Sequence, residues 1–218
     1  MPAYLPYSLL NNQFLITSGR SIFWENEKAL ILSDLHLGKT GHFRKSGIAV
    51  PQNVLMEDMQ RLVAQIQFYK PGKLIIVGDL FHSDANKEHD LFLKWRNDLG
   101  HLPVHLVKGN HDILQDSWYK EAAIIVHHDI LHIGNFSFMH DINDCAASEK
   151  NYCFSGHIHP AVRINGAGRQ SLQLACFYFG KKYAVLPAFG KFTGTFTVKP
   201  EKEDVVFGLV DNSVIRLQ

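Results

Sequence analysis

Five short apolar stretches of this 218-residue chain end in the same kind of side chain. Asp34 and His36 follow ALIL. Asp79 follows LIIVG, and Asn110, His111 and Asp112 follow HLVKG. His140 follows FSFM, and His157 and His159 follow YCFSG. Carboxylate, imidazole and amide oxygen without any thiolate suit Mn, Fe or Zn rather than Ca. In Asp34-x-His36 and His157-x-His159 a single residue separates the pair, so both side chains can extend to one side and reach one ion. Singly, Asp34, Asp79 and Asn110 are ordinary turn residues and His140 is an ordinary half-buried histidine. Repeated at the ends of five apolar runs, they point to one site, because ligands of open α/β sheets bind beyond the carboxyl ends of the strands.

The elements that must position these residues change character along the chain. QFLITS (13–18) and RSIFW (20–24) read as a hairpin around Gly19, and KALILSD (28–34) as a buried strand. From Pro51, a residue suited to a first helical position, Val54, Leu55, Met59, Leu62, Val63 and Ile66 recur at helical spacing. KLIIVGD (73–79) is a second strand, residues 85–99 a second amphipathic helix, and VHLVKGN a third strand. After residue 124, ILHI, FSFMHD, YCFSGH, SLQLACFYF, KYAVLP, GTFTV, DVVFGLV and SVIRL follow one another as strand candidates, with a short helix near 143–150. An alternating first half and a strand-rich second half predict an α/β protein of two packed sheets with helices outside. There is no repeat, low-complexity tract or linker, so a single domain over residues 1–218 is expected.

Composition excludes several classes. The net charge of +1 gives no global attraction to nucleic acid or membrane, so any grip on phosphate must be local. No apolar run approaches transmembrane length, and the first residues lack the pattern of a signal peptide. The three cysteines form no CxxC pair and are odd in number, which disfavours a disulfide framework or thiolate site and suits a cytoplasmic setting. The thirteen histidines are the unusual feature, since imidazole is the commonest metal ligand.

The ordered set DxH, GD, GNHD, H and GHxH resembles the calcineurin-like metallophosphoesterases over residues 34 to 159. The resemblance implies a four-layer αββα double β-sandwich with a centre for two divalent transition-metal ions, Mn foremost and Fe or Zn as alternatives. Carried over residue by residue, Asp34, His36 and His159 hold one ion, Asn110, His140 and His157 the other, and Asp79 bridges them. Two such ions can clamp an in-line displacement at phosphorus. His111 is left to face substrate as a general acid. Asp112 either orients its imidazole, supports the shell behind it, or caps a helix.

SDLHLGKTGHFRKSGIAVP (33–51) and LPAFGKFTG (186–194) are similar to the ligase-associated DNA damage response phosphoesterases, the PdeM-type endonucleases. That narrower likeness implies a DNA repair role with association to DNA ligase and helicase. Just past Asp34-x-His36, the run GKTGHFRK offers Lys39, His42, Arg44 and Lys45 as contacts to flanking phosphates; the bland alternative is a solvated basic loop. Lys191 is a weaker candidate of the same kind. The expected reaction is hydrolysis of a phosphodiester in DNA or a nucleotide. The rivals are a UDP-sugar lipid pyrophosphatase, which needs an apolar surface near the site, and a non-catalytic scaffold of the same fold. His82 reads as support for the site, and His127, His128 and His132 as surface or turn residues.

Overall fold

The computed structural model describes residues 3–39, 54–81, 87–145, 150–166, 168 and 170–218. Seven strands form the first sheet in chain order: β1 (Tyr4–Leu9), β2 (Asn12–Thr17), β3 (Ile22–Trp24), β4 (Ala29–Leu32), β5 (Lys73–Val77), β6 (Val104–Val107) and β7 (Ile124–His127). β1 to β4 pair antiparallel through turns, whereas β4 to β7 pair parallel. Parallel neighbours need a crossover. The helices α1 (Val54–Tyr69), α2 (Lys87–Asp98) and α3 (Asp116–Glu121) fall in the three crossovers. The carboxyl ends of β4, β5 and β6 therefore share one edge, and Asp34, Asp79 and Asn110 follow them.

The second sheet takes the rest of the chain: β8 (Leu131–Ile133), β9 (Phe136–Phe138), β10 (Tyr152–Ser155), β11 (Pro160–Asn165), β12 (Ser171–Phe179), β13 (Tyr183–Val185), β14 (Phe196–Thr197), β15 (Val205–Val210) and β16 (Ser213–Arg216). Its order is β14-β11-β12-β13-β10-β9-β8, with β15 pairing β12 and β16. β9 and β10 run parallel, so His140 and His157 leave the same edge of the sheet.

Period-two burial holds the layers together. On the first sheet Ile31, Ile75, Val77 and Val107 face the second sheet, where they meet Phe136, Phe138, Phe154, Phe177 and Phe207. The alternate residues Leu30, Leu32, Leu74, Ile76, Val104 and Leu106 face the helices and pack on Leu62, Ile66, Phe92 and Tyr119. The outer face of the second sheet carries a smaller cluster that includes Val162, Leu174, Cys176 and Val206. The α/β double sandwich matches expectation. The second helical layer does not appear among the described residues, where no α-helix joins that outer cluster. Antiparallel pairs such as β11–β12 and β15–β16 close through turns and need no crossover helix.

Several elements differ from the sequence pattern. β1 carries Pro6 and pairs only at the sheet edge, and β11 begins at Pro160; these are the two places where a strand tolerates proline. β7 and the six-residue α3 are too short for a legible period. The helix expected near 143–150 is a 3-10 turn over Ile142–Asp144 among the described residues. No described helix is long and apolar enough to cross a membrane.

Phe154 sits where the sheets meet, fully buried, with its ring 5.4 Å from that of Phe138 and 5.7 Å from that of Phe14. Phe154→Ala is expected to destabilise the fold by about 3–5 kcal/mol in denaturant unfolding. A loss under about 1 kcal/mol would mean that the two sheets do not share this core.

Candidate metal centre

Beyond Leu32 and Val77 the strands stop but their pairing continues. The N–H groups of Asp34, His36 and Leu37 donate to the carbonyls of Gly78, Asp79 and Leu80 at 3.1, 3.0 and 2.9 Å. Two loops are thus zipped side by side. Within them Asp34, His36 and Asp79 take left-handed φ of 54°, 49° and 51°, and across the site His157 and His159 take 68° and 51°. Asp and His tolerate this region better than most residues, yet each pays in backbone strain, and such strain gathers at functional sites. The turn out of the strand swings each side chain to one centre.

Glycines make room for the convergence. Gly78 has φ 80°, and a Cβ there would overlap His140 Nδ1. Gly109 does not have the left-handed φ expected of a bend out of the strand. Its role is space, because a Cβ would overlap the Asp79 carboxylate.

Two groups result: Asp34, His36 and His159, and Asp79, His140 and His157. In the first, His36 Nε2 and His159 Nε2 stand 3.2 Å apart, with Asp34 Oδ1 3.2 Å from His159 Nε2. In the second, His140 Nε2 lies 3.1 Å from His157 Nδ1 and 3.2 Å from Asn110 Oδ1. Asp79 Oδ2 lies between the groups, 3.7 Å from His36 Nε2 and 3.4 Å from His140 Nε2. All seven sequence-predicted ligands therefore come together.

The donor set fits cations on an observation independent of motif. Asp34 Oδ1 is buried and accepts no hydrogen bond among the described residues. Its partner oxygen Oδ2 is held by the Ser33 hydroxyl and by the His157 N–H at 3.1 Å. His159 Nδ1 is 3.0 Å from the Gly194 carbonyl and His140 Nδ1 is 3.2 Å from that of Val77. Those acceptors fix the Nδ1–H form and aim each Nε2 inward, which is how metal-bound imidazoles are oriented. Burial lowers His36 to about 3, which favours the neutral ring that ligation requires. Asp79 behaves oppositely: burial raises it, but the hydrogen bond and charge of His140 and the His111 N–H outweigh this and hold it down to about 2. Burial likewise lowers His140, and the bonded Asp79 carboxylate overrides it, raising His140 to about 9.

His111 stands at the rim, half-buried, its N–H donating to Asp79 Oδ1 at 3.0 Å and its ring 5.5 Å from that of His36. Asp112 is placed differently from an imidazole orienter. Its Oδ1 accepts the N–H groups of Leu80 and Phe81 at 2.9 and 3.2 Å, and its Oδ2 that of Gly109 at 2.9 Å. It is a strut between the Asp79 and Asn110 loops. Lys39 is half-buried near Asp34 and Asp79, whose charges oppose the lowering that burial imposes on it. His42, Arg44, Lys45 and His82 lie outside the described residues. Lys191 faces Glu57 at 3.8 Å. His127 stacks on His105, His128 is exposed, and His132 bonds Ser137, all apart from the two groups.

Two supports were not legible in the sequence. Ser33 looked like a strand residue, and only the fold shows its hydroxyl on Asp34. The stretch 186–190 links both halves: Leu186 N–H donates to the Ser155 carbonyl at 2.8 Å, Phe189 N–H to Ser33 at 2.8 Å and Gly190 N–H to Asp34 at 3.0 Å. Arg61, paired with Asp58 at 2.8 Å, caps the Phe189 carbonyl and lies 4.3 Å over its ring. Pro187, Gly190 and Gly194 signal a turn but not what it holds.

Residues 27–124 match the family model for calcineurin-like phosphoesterases. His140, His157 and His159 lie beyond that span, and the geometry brings them to the residues within it. Among solved structures 34 chains match. One is the crystal structure of the Pseudomonas putida nuclease MPE, with a TM-score of 0.80 and 25% identity over 94% of this chain and 96% of that one. Residues 27–124 thus resemble the calcineurin-like phosphoesterases, and the fold likeness to the nuclease extends over nearly the whole chain. No curated protein sequence gives a significant match. Metallophosphoesterases bind divalent metals, and the two side-chain groups described above are the candidate positions here.

The charges define a pH dependence. His140 is raised from 6.5 to about 9, so without metal its pairing with Asp79 contributes stability that is complete below about 6.5 and lost as pH rises through about 9. A metal ion held through His140 at neutral pH would have to displace that proton. Mn affinity is therefore expected to rise with pH, by up to about tenfold per unit for one proton. Calorimetry at pH 7 in buffers of different ionisation enthalpy reads the released proton directly; heats that do not depend on buffer contradict the assignment. Asp112 gives a second test. Asp112→Ala strands the buried N–H groups of Leu80 and Phe81 and the half-buried one of Gly109, and is expected to cost on the order of 3 kcal/mol of stability. An unchanged unfolding midpoint would show that the strut is dispensable.

Proposed function

We propose that this chain is a dinuclear metal-dependent phosphoesterase that hydrolyses phosphodiester bonds in DNA or nucleotides. The observation that carries the reading is the position of Asp79 Oδ2 between the histidines of the two side-chain groups, 3.7 Å from His36 Nε2 and 3.4 Å from His140 Nε2. The seven residues proposed to hold the ions are Asp34, His36 and His159 on one side, Asn110, His140 and His157 on the other, and Asp79 between. Two divalent ions there, with Mn the first candidate, would supply Lewis-acid polarisation of the phosphoryl oxygens and activation of water at neutral pH.

The chain's own groups do the rest. Asp34 and Asp79 are each fixed through one oxygen, by Ser33 and His157 N–H or by His111 N–H, so the other oxygen stays aimed inward. His111 is tied through its backbone to the Asp79 carboxylate, and in this reading its imidazole at the rim protonates the departing oxygen. Lys39 adds positive charge beside Asp34 and Asp79 for a flanking phosphate, a role shared in this reading with Arg44 and Lys45. The nuclease neighbour supports a nucleic acid substrate. A DNA repair setting with ligase and helicase partners rests on the likeness of residues 33–51 and 186–194 alone, and a cytoplasmic one on the cysteine usage.

A second reading has one observation in its favour. An apolar groove of about 330 Å³ runs between α1 and α2, lined by Leu55, Met59, Val63, Phe92 and Trp95, with Leu37 beside the metal loop. A lipid-linked pyrophosphate is the substrate class that such a groove suits.

One screen separates the readings. With Mn added, bis-p-nitrophenyl phosphate and single-stranded DNA are expected to be cleaved in preference to p-nitrophenyl phosphate and UDP-lipid analogues. Preference for the monoester, with DNA left intact, rejects the diester assignment. His111→Ala is expected to slow DNA cleavage by about a hundred- to ten-thousand-fold, because an alkoxide needs a proton to leave. The nitrophenyl ester, with its good leaving group, should lose far less, and metal content should be unchanged. Equal losses on both substrates would instead assign His111 to charge stabilisation on the phosphoryl group.

A further inference from the structure

The sequence offers no CxxC pair, yet the fold brings two of the three cysteines together. Cys145 Sγ and Cys153 Sγ lie 2.8 Å apart. A disulfide bond measures about 2.05 Å, so closure needs under about 1 Å of movement. The two residues arrive from different elements. Cys145 ends the 3-10 turn Ile142–Asp144 that follows His140 and Asp141. Cys153 lies in β10 between Tyr152 and Phe154, which face the first sheet, so its side chain takes the opposite face. Cys145 is half-buried and Cys153 is 1% exposed. That asymmetry gives an outer thiol for a small reagent to reach and an inner thiol to resolve the product.

We propose that Cys145 and Cys153 form a reversible redox pair, a modification site separate from the metal groups. The co-reactant is a low-molecular-weight disulfide. The Cys145 thiolate attacks one of its sulfurs, forming a mixed disulfide and releasing one thiol. The Cys153 thiolate then attacks Cys145 Sγ, forming the intramolecular bond and releasing the second thiol. Two protein thiols are oxidised and one small disulfide is reduced to two thiols, so electrons and protons balance. The bond ties the segment leaving His140 to the strand entering His157. Because the sulfurs are already adjacent, it restricts the unfolded chain with little distortion of the folded one.

Cys176 is the internal control, since burial pushes its thiol up to about 12 and leaves it inert. The test equilibrates the full-length protein with excess oxidised glutathione, then counts thiols under denaturing conditions and maps the cross-link by proteolysis and mass spectrometry. The expected result is the loss of two hydrogens, one remaining thiol at Cys176, and a peptide joining Cys145 to Cys153, all reversed by dithiothreitol. The oxidised form should unfold roughly 5–10 °C higher than the reduced form. Cys145→Ser, at a half-buried position, should fold, keep two thiols and show no shift. Three thiols remaining, a mixed disulfide that persists on Cys145 without closing, or a bond to Cys176 or to a second chain would each overturn the proposal.

Discussion

The Asp79 carboxylate is the constraint on which the site depends. It is 2% exposed, and a charge so buried is costly unless it is paired and hydrogen-bonded. Burial alone would neutralise it. Instead the His111 N–H holds one oxygen and His140 faces the other, and the group stays ionised down to about pH 2. A fixed negative charge in a dry place demands positive charge opposite. Protonated His140 answers it in the absence of metal, and a divalent ion answers it more fully. The same carboxylate lies against both halves of the protein, His36 from the first sheet and His140 from the second.

That demand explains why so much surrounding structure is support. Left-handed φ at Asp34, His36, Asp79, His157 and His159 stores strain that a lone loop would release. Backbone bonds between the Asp34 and Asp79 loops, the Asp112 strut and the 186–190 stretch prevent that release. Asp112 shows the cost. Burial pushes it up to about 7, against the pull of the Gly109 and Phe81 N–H groups. A group so placed serves loop geometry, and its three amide contacts stop the Asn110 and Asp79 loops from drifting apart.

The two sheets contribute unequally. The parallel strands β4, β5 and β6 fix Asp34, His36, Asp79 and Asn110 by strand order, since each crossover returns the chain to the same edge. The second sheet supplies only histidines, from the parallel pair β9–β10 and the turn beyond it. Aromatic packing of Phe136, Phe138 and Phe154 against Phe14 and Trp24 holds these edges in register across the sandwich. The distance between the metal groups is therefore set by core packing remote from either group.

The sequence by itself determined the types of the candidate ligands, their order and the strand ends that carry them. Apolar runs and turn residues are local signals, and the pattern in residues 28–112 alternates strongly enough to read. It also determined the α/β class. It did not reveal β1, β7, β11 or α3, where proline or short length hides the period. Only the tertiary structure decided that Gly109 is needed for space and not for a bend, that Asp112 bonds backbone and not His111, that Ser33 orients Asp34, and that Cys145 meets Cys153. Each of these joins segments separated in the chain or depends on a backbone angle. Side-chain type is written in the sequence, but which atom a side chain finally faces is fixed by contacts between strands that meet only in the folded sandwich.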